Sequence, residues 1–159
     1  MAQQAAGKSI PGKQMYPNNN LFVLFSICTW NMRGLGSPET TLNEKSRSER
    51  LLKRELLGKD CERYGMDIVG LQETKCVAAE DLMLYNNYRL IIFDQKEQCH
   101  GGIGFVISPK MQPHMTTFGV ISDRVGFVDF SIPLKAGGMK HFRVVNCWTH
   151  VTAGKTKSL

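Results

Sequence analysis

The chain of 159 residues has the length of one globular domain, and 42% apolar residues are enough to bury a sizeable core. Lys and Arg outnumber Asp and Glu by 20 to 14, and the resulting charge of +6 is a mild bias towards polyanionic partners such as nucleic acid. No apolar run approaches the about 18 residues that a membrane-spanning helix needs, so we expect no membrane partner.

The first half of the chain predicts a tail, a strand and a helix. Residues 1–20 are polar and without periodicity, which is typical of a mobile tail, and a domain is expected over residues 21–159. The β-branched and aromatic run Leu21 to Trp30 predicts a strand buried on both faces. Leucines near helical spacing predict an amphipathic helix from about Ser46 to Tyr64, with a break at Gly58 left open. Its basic residues alternate with acids, which favours a solvated face over a nucleic-acid patch.

The second half predicts mostly strands. The stretch AAEDLMLY, residues 78–85, is expected to form a short helix. The predicted strands are Ile68 to Gln72, Tyr88 to Phe93, Ile103 to Ile107, Val125 to Ile132 and Phe142 to Trp148. Because strands alternate with helices only at first, the order indicates a mixed α/β sheet system.

The cysteines and the apolar run near the N-terminus bear on compartment and metal binding. The five cysteines form no C-x-x-C pair and are odd in number, which favours a reducing compartment over a disulfide framework. The run Leu21 to Cys28 follows a polar stretch and lacks a small-residue cleavage site, so we read it as a strand and expect no signal peptide. The expected location is intracellular, nuclear or cytoplasmic. Cys147 and His150 alone approach a ligand spacing, and we expect no zinc site.

Two strand ends carry polar residues that packing does not require. Asn31 follows the first predicted strand, and Glu73 follows the second in the stretch DIVGLQETK. If a helix connects these strands in parallel, both side chains emerge on the same rim of the sheet, where α/β folds gather ligands. A single carboxylate beside amides suits Mg²⁺, which keeps several waters and can orient one for attack on a phosphodiester. The alternative is a solvated strand end with Glu73 paired to Lys75.

Five motifs occur in an order typical of a known family. They are WNMRGL at residues 30–35, DIVGLQETK at 67–75, GGIGFVIS at 101–108, SDRVGFVDF at 122–130 and FRVVNCW at 142–148. With these motifs the chain resembles the endonuclease/exonuclease/phosphatase superfamily over residues 24–150. Within that superfamily it is most similar to the apurinic-type endonuclease domain of LINE-type, or non-LTR, retrotransposons.

The resemblance implies a fold and a site. The fold would be a DNase I-like two-sheet α/β sandwich with a phosphodiesterase centre at one end of the sheets. Glu73 would bind Mg²⁺ or Mn²⁺, and Asn31 would lie beside the metal and the scissile phosphate, so that both are candidate catalytic and metal-site residues. DNA would be the partner. The glycine motif and SDRV would be scaffold.

The chain also departs from the family pattern. Trp148 stands at the position of a phosphate-contacting tyrosine, His150 at that of a proline, and Arg33 where some relatives carry a carboxylate. An indole offers one N–H donor and no acidic hydroxyl, so it would not reproduce the tyrosine's role.

The D-x-N and D-H segments that relatives carry further along do not occur after Trp148. We therefore expect a C-terminally truncated domain with little or no hydrolysis of its own, since a lost base or stabilising group reduces rates by orders of magnitude. A complementing C-terminal segment or a second chain would be needed. The alternative functions are a non-catalytic remnant that binds nucleic acid or another partner, and a lipid or inositol phosphodiesterase.

Overall fold

The computed structural model describes residues 24–36, 43–94, 101–134 and 137–149. The predicted tail at residues 1–20 lies outside these ranges. Within them the strands are β1 (Ile27–Asn31), β2 (Ile68–Gln72), β3 (Glu80–Met83), β4 (Arg89–Ile92), β5 (Ile103–Ile107), β6 (Met115–Ser122), β7 (Val125–Pro133) and β8 (Met139–Cys147). The helix α1 spans Glu44–Arg63, and short 3-10 turns span Tyr85–Asn87 and Gln112–His114.

The strands form two sheets. The first has five strands in the order β1-β2-β5-β4-β3, and the second has three in the order β6-β7-β8. Strands β1 and β2 pair in parallel, and the other described pairs are antiparallel. The predicted two-sheet α/β sandwich with a mixed sheet is therefore confirmed.

The five-stranded sheet is covered on both faces because its central strands alternate between two apolar clusters. Val69 and Leu71 of β2 join the cluster that contains Leu57 of α1. Ile68 of the same strand joins the opposite cluster, which contains Phe130 of β7. With one face against the helix and the other against the second sheet, β2 is buried from Ile68 to Leu71, as its apolar sequence predicted.

The helix is longer than predicted and continuous. It begins at Glu44, where the side chain of Asn43 accepts a hydrogen bond from the Lys45 N–H at 2.9 Å, a regular N-cap. Gly58 lies inside the helix without a break. A Cβ at this position would stand 2.8 Å from the Tyr85 backbone nitrogen, so the glycine serves the close approach of helix and 3-10 turn.

Two predictions for the sheets were wrong. Residues 78–85 form β3 and the start of the 3-10 turn instead of a helix, because β3 pairs with β4 and its burial alternates from residue to residue. The first strand is not buried on both faces. It is the edge strand β1, and Ile27 is 55% exposed. Residues 21–23 lie outside the described ranges. Strand β6 was not predicted.

Membrane insertion can be assessed for the one helix that the described ranges contain. Helix α1 is too polar to cross a membrane, and none of the described helices has the length and hydropathy of a membrane span.

Candidate active site

The two predicted site residues lie together at one end of the five-stranded sheet. Asn31 is the last residue of β1, and Glu73 follows the last residue of β2. Parallel pairing places Asn31 beside Gln72, so both strands end at the same rim. There the amide Nδ2 of Asn31 donates a hydrogen bond to Oε1 of Glu73 at 2.8 Å. The structure thus brings the predicted amide and carboxylate into direct contact.

The backbone around these residues holds the amide in one orientation. The Arg33 N–H donates to Oδ1 of Asn31 at 2.9 Å, so the amide oxygen is engaged while its nitrogen faces Glu73. The parallel pairing also continues past the ends of the strands. Gly34 N–H donates to the Glu73 carbonyl and Leu35 N–H to the Thr74 carbonyl, each at 2.7 Å. The segment after β1 is therefore held against the segment that carries the carboxylate.

Three non-glycine residues at this rim have left-handed backbone conformations. Arg33 has φ 47°, Glu73 has φ 51° and Lys75 has φ 54°. For an L-residue this region costs about 1 to 2 kcal/mol. Such strain persists where the surrounding structure imposes it, and it is concentrated at functional sites. At Glu73 it ends the strand alternation and turns the side chain towards Asn31.

The buried amide of Asn146, in the second sheet, forms hydrogen bonds with the strands that lead to the rim. Asn146 of β8 is 5% exposed, and its Nδ2 donates to the carbonyls of Leu71 and Gly104 at 2.8 and 3.0 Å. Its Oδ1 accepts a hydrogen bond from Nε2 of Gln72, whose Oε1 accepts one from the Thr29 hydroxyl. The amide therefore joins β8 to the two strands that end at Asn31 and Glu73.

Sequence reasoning assigned Asn146 no role. The only signal for it was a polar residue within the apolar run VVNCW, which does not reveal its partners.

Replacing Asn146 with leucine tests this support. We expect Asn146→Leu to lower the free energy of unfolding by about 2 to 3 kcal/mol, because it leaves buried carbonyl and amide groups without partners. Urea denaturation would measure the change. Lys140→Leu at an exposed position of the same strand is the control and should change stability by about 0.5 kcal/mol or less. Equal stability of Asn146→Leu and the unmodified chain would contradict the assignment.

Two further residues from the sequence analysis, Trp148 and Lys75, lie near the same end of the five-stranded sheet. The indole of Trp148 packs on Gly101, where a Cβ would stand 2.7 Å from its Cζ3. Lys75 is exposed, and the recorded hydrogen-bond partner of Glu73 is the amide of Asn31 and not the Lys75 ammonium. His150 lies outside the described ranges. The structure therefore does not test the expectation that Cys147 and His150 form no zinc site.

The donor set at the rim fits a hard, hydrated cation. Within the described ranges, no three or more His, Cys, Asp or Glu side chains form a group that could hold a metal ion. An ion at Glu73 would therefore take one carboxylate and complete its shell with water and phosphate oxygens, the arrangement that Mg²⁺ accepts. The buried cysteines are unsuitable as metal ligands. Burial raises the pKa of Cys61 to about 12 and of Cys76 to about 11, which keeps both thiols protonated.

A comparison with protein families agrees with this geometry. The family model described as Endonuclease/Exonuclease/phosphatase family matches residues 28–149, which is more than half of the chain and includes Asn31, Glu73 and Asn146. No curated protein gives a significant match to the sequence. The extent of the family match and the two-sheet fold together show that the chain belongs to the endonuclease/exonuclease/phosphatase family.

Proposed function

We propose that this domain is a divalent-metal-dependent phosphodiesterase of the DNA endonuclease type, related to the endonucleases of LINE-type retrotransposons. The observation that carries the proposal is the 2.8 Å hydrogen bond between Asn31 and Glu73 at a shared rim of the sheet. It aligns a carboxylate at a partly exposed position where substrate can reach it.

Each rim residue has a distinct role in this proposal. Glu73 would hold Mg²⁺ or Mn²⁺ through its carboxylate. Asn31 would orient that carboxylate, because its Nδ2 donates to Oε1 while its own oxygen is engaged by the Arg33 N–H. When bound, the cation supplies Lewis-acid stabilisation of charge on the phosphodiester and a site for water.

DNA is the favoured substrate because two exposed cationic residues lie close to Asn31 and Glu73 in the chain. Arg33 and Lys75 flank Asn31 and Glu73 in sequence, and both are exposed. Their positive charge would attract the phosphodiester backbone of DNA to the rim, in keeping with the net charge of +6.

The sparse donor set supports a second candidate, a domain that binds nucleic acid without cleaving it. Glu73 belongs to no group of three or more metal-ligating side chains in the described part of the chain. A phosphodiesterase that relies on one protein carboxylate needs further groups to activate water. Where such groups are missing, binding would persist and hydrolysis would be feeble.

Nicking of supercoiled plasmid by the full chain tests the proposal. With Mg²⁺ we expect only slow formation of relaxed circles, in line with the little hydrolysis expected of this chain. Glu73→Gln should reduce that rate by about 100-fold or more, because the neutral amide keeps the shape but loses the charge that holds the cation. Asn31→Ala should reduce it by about 10-fold through loss of orientation. Glu55→Gln on the exposed side of α1 is the matched control and should nick as the unmodified chain does.

The outcomes separate the two candidates. Nicking that survives Glu73→Gln would overturn the assignment of the carboxylate. Absence of nicking, with salt-sensitive DNA binding that needs no metal, would favour the binding module. As an independent readout, Mg²⁺ should shift the amide resonances of Asn31 and Glu73, and unchanged resonances at millimolar Mg²⁺ would contradict a metal site.

A further inference from the structure

An arginine and a tryptophan from different strands meet at the rim. Arg124 lies in the turn between β6 and β7, and Trp148 directly follows β8. The backbone N–H of Trp148 donates to the Arg124 carbonyl at 3.0 Å, which joins the turn to the end of β8. The Arg124 guanidinium carbon lies 5.8 Å from the centre of the indole ring, within the range of a cation–π contact.

This pair lies next to the segment that carries Glu73. The indole packs on Gly101, and the Gly101 carbonyl accepts a hydrogen bond from the Lys75 N–H at 2.9 Å. The neighbouring Gly102 carbonyl accepts one from the Thr74 N–H at 3.2 Å. One short backbone segment therefore separates the Trp148 ring from residues 73–75. A polymer strand bound at Glu73 would pass within reach of the ring.

The guanidinium is available for exchange with an anion. Its side chain is 55% exposed, and its ion-pair partner Asp123 is 63% exposed and 3.8 Å away. Exposed ion pairs of this kind contribute little to stability. A phosphate can therefore replace Asp123 as the partner and be bound by two parallel N–H donors. The indole ring keeps the guanidinium at the rim.

We propose that Arg124 and Trp148 form a contact surface for a nucleic-acid strand, with a phosphate on the guanidinium and an unpaired base against the exposed part of the half-buried indole. The proposal rests on the proposed function for the class of partner, and it adds residues that sequence analysis regarded as scaffold or as a departure from the family pattern. The indole of tryptophan lacks the hydroxyl of a tyrosine, but it has a larger ring surface for stacking.

Binding of the full chain to a fluorescein-labelled thymidine oligonucleotide tests the surface. Anisotropy is measured in EDTA at low salt, so that the result does not depend on metal or cleavage. Arg124→Gln should weaken binding by about 10-fold and lower the slope of log affinity against log salt by about one. Asp123→Asn should strengthen binding by about 3-fold, because it removes the competing carboxylate. Arg143→Gln is the control, since Arg143 pairs with Asp129 on the outer face of β7 and β8, away from the rim.

Trp148 is tested by its own fluorescence, since Trp148→Leu could also disturb folding. In a Trp30→Phe background Trp148 is the only tryptophan of the chain. Stacking of a base should quench its emission with the same midpoint as the anisotropy change. Trp148→Phe should retain most of the affinity, and Trp148→Leu, if folded by circular dichroism, should lose about 10-fold.

Several outcomes would overturn this surface. One is a lack of oligonucleotide binding at low salt. The others are equal affinity of Arg124→Gln and the unmodified chain, and Trp148 emission that does not change at saturating oligonucleotide. The result is separable from the proposed function. A chain that binds the oligonucleotide through Trp148 in EDTA but never nicks plasmid with Mg²⁺ would retain this surface and lose the phosphodiesterase assignment.

Discussion

Arg54→Met should lower the free energy of unfolding by about 3 to 5 kcal/mol. The Arg54 Nη2 donates to Oε2 of Glu80 at 2.7 Å, and only 6% and 8% of the two side chains are exposed. Removing the guanidinium leaves a carboxylate in an apolar surrounding, where an unpaired charge is strongly disfavoured. Arg54 Nη1 also contacts the Leu35 carbonyl at 3.4 Å, and so the helix is tied to the segment that follows Asn31.

A double variant separates the buried charge from general loss of packing. Glu80→Leu in the Arg54→Met background should recover most of the lost stability, because both charges are then replaced by apolar groups. The matched control is the exposed pair of Lys59 and Glu55 on the same helix, where Lys59→Met should leave the denaturation midpoint unchanged. Urea denaturation would measure all four chains. If Arg54→Met and Lys59→Met had equally small effects on the free energy of unfolding, burial of the Arg54 pair would have no energetic consequence.

Gly102→Ala should destabilise the fold by about 3 kcal/mol and disturb the rim. Gly102 has φ +105°, and a Cβ there would stand 2.3 Å from Oγ1 of Thr74 and 3.0 Å from the Lys75 nitrogen. Thr74 is fully buried, so its side chain has little room to move aside. Any adjustment must therefore shift residues 73–75, and we expect changed amide resonances at Glu73 and weaker Mg²⁺-dependent shifts.

A substitution at a second glycine separates the cost of backbone strain from the cost of the contact with Thr74. Gly138 has φ +91° and nothing within 4 Å of its Cβ position, so Gly138→Ala should cost about 1 kcal/mol through backbone strain alone. Thr74→Ala should recover part of the loss in Gly102→Ala, since it removes the nearest atom. If Gly102→Ala and Gly138→Ala were equally stable, contact with Thr74 would have no part in holding the rim.

The position of Asn31 and Glu73 at one rim could be predicted because the signal is local. Asn31 ends one apolar strand, Glu73 follows the next, and a helix long enough for a crossover lies between them. These facts imply a parallel pair with both residues at one rim, and the structure has that pairing. Their roles in metal binding and catalysis stay predictions. Asn146 and Arg124 could not be assigned in the same way, because their partners are on strands far away in sequence.

The errors in the fold have the same origin. Residues 78–85 contain Ala, Leu and Met, which suit a helix, but Glu80 pairs with buried Arg54 and Leu82 lies opposite Leu90 of β4. Pairing across the chain therefore decided strand over helix. The run that contains β1 is apolar enough for a central strand. Its place at the sheet edge, with Ile27 exposed, depends on neighbours that a linear pattern does not show.

The sequence by itself determined the α/β class, the extent of β2 and β5 and the position of an amide and a carboxylate at one rim, because these depend on apolar runs and on the residues at their ends. Only the tertiary structure decided that β3 is a strand, that Asn146 supports the rim and that Arg124 lies over Trp148. Those features depend on contacts between segments distant along the chain, whose free energies outweigh local propensity.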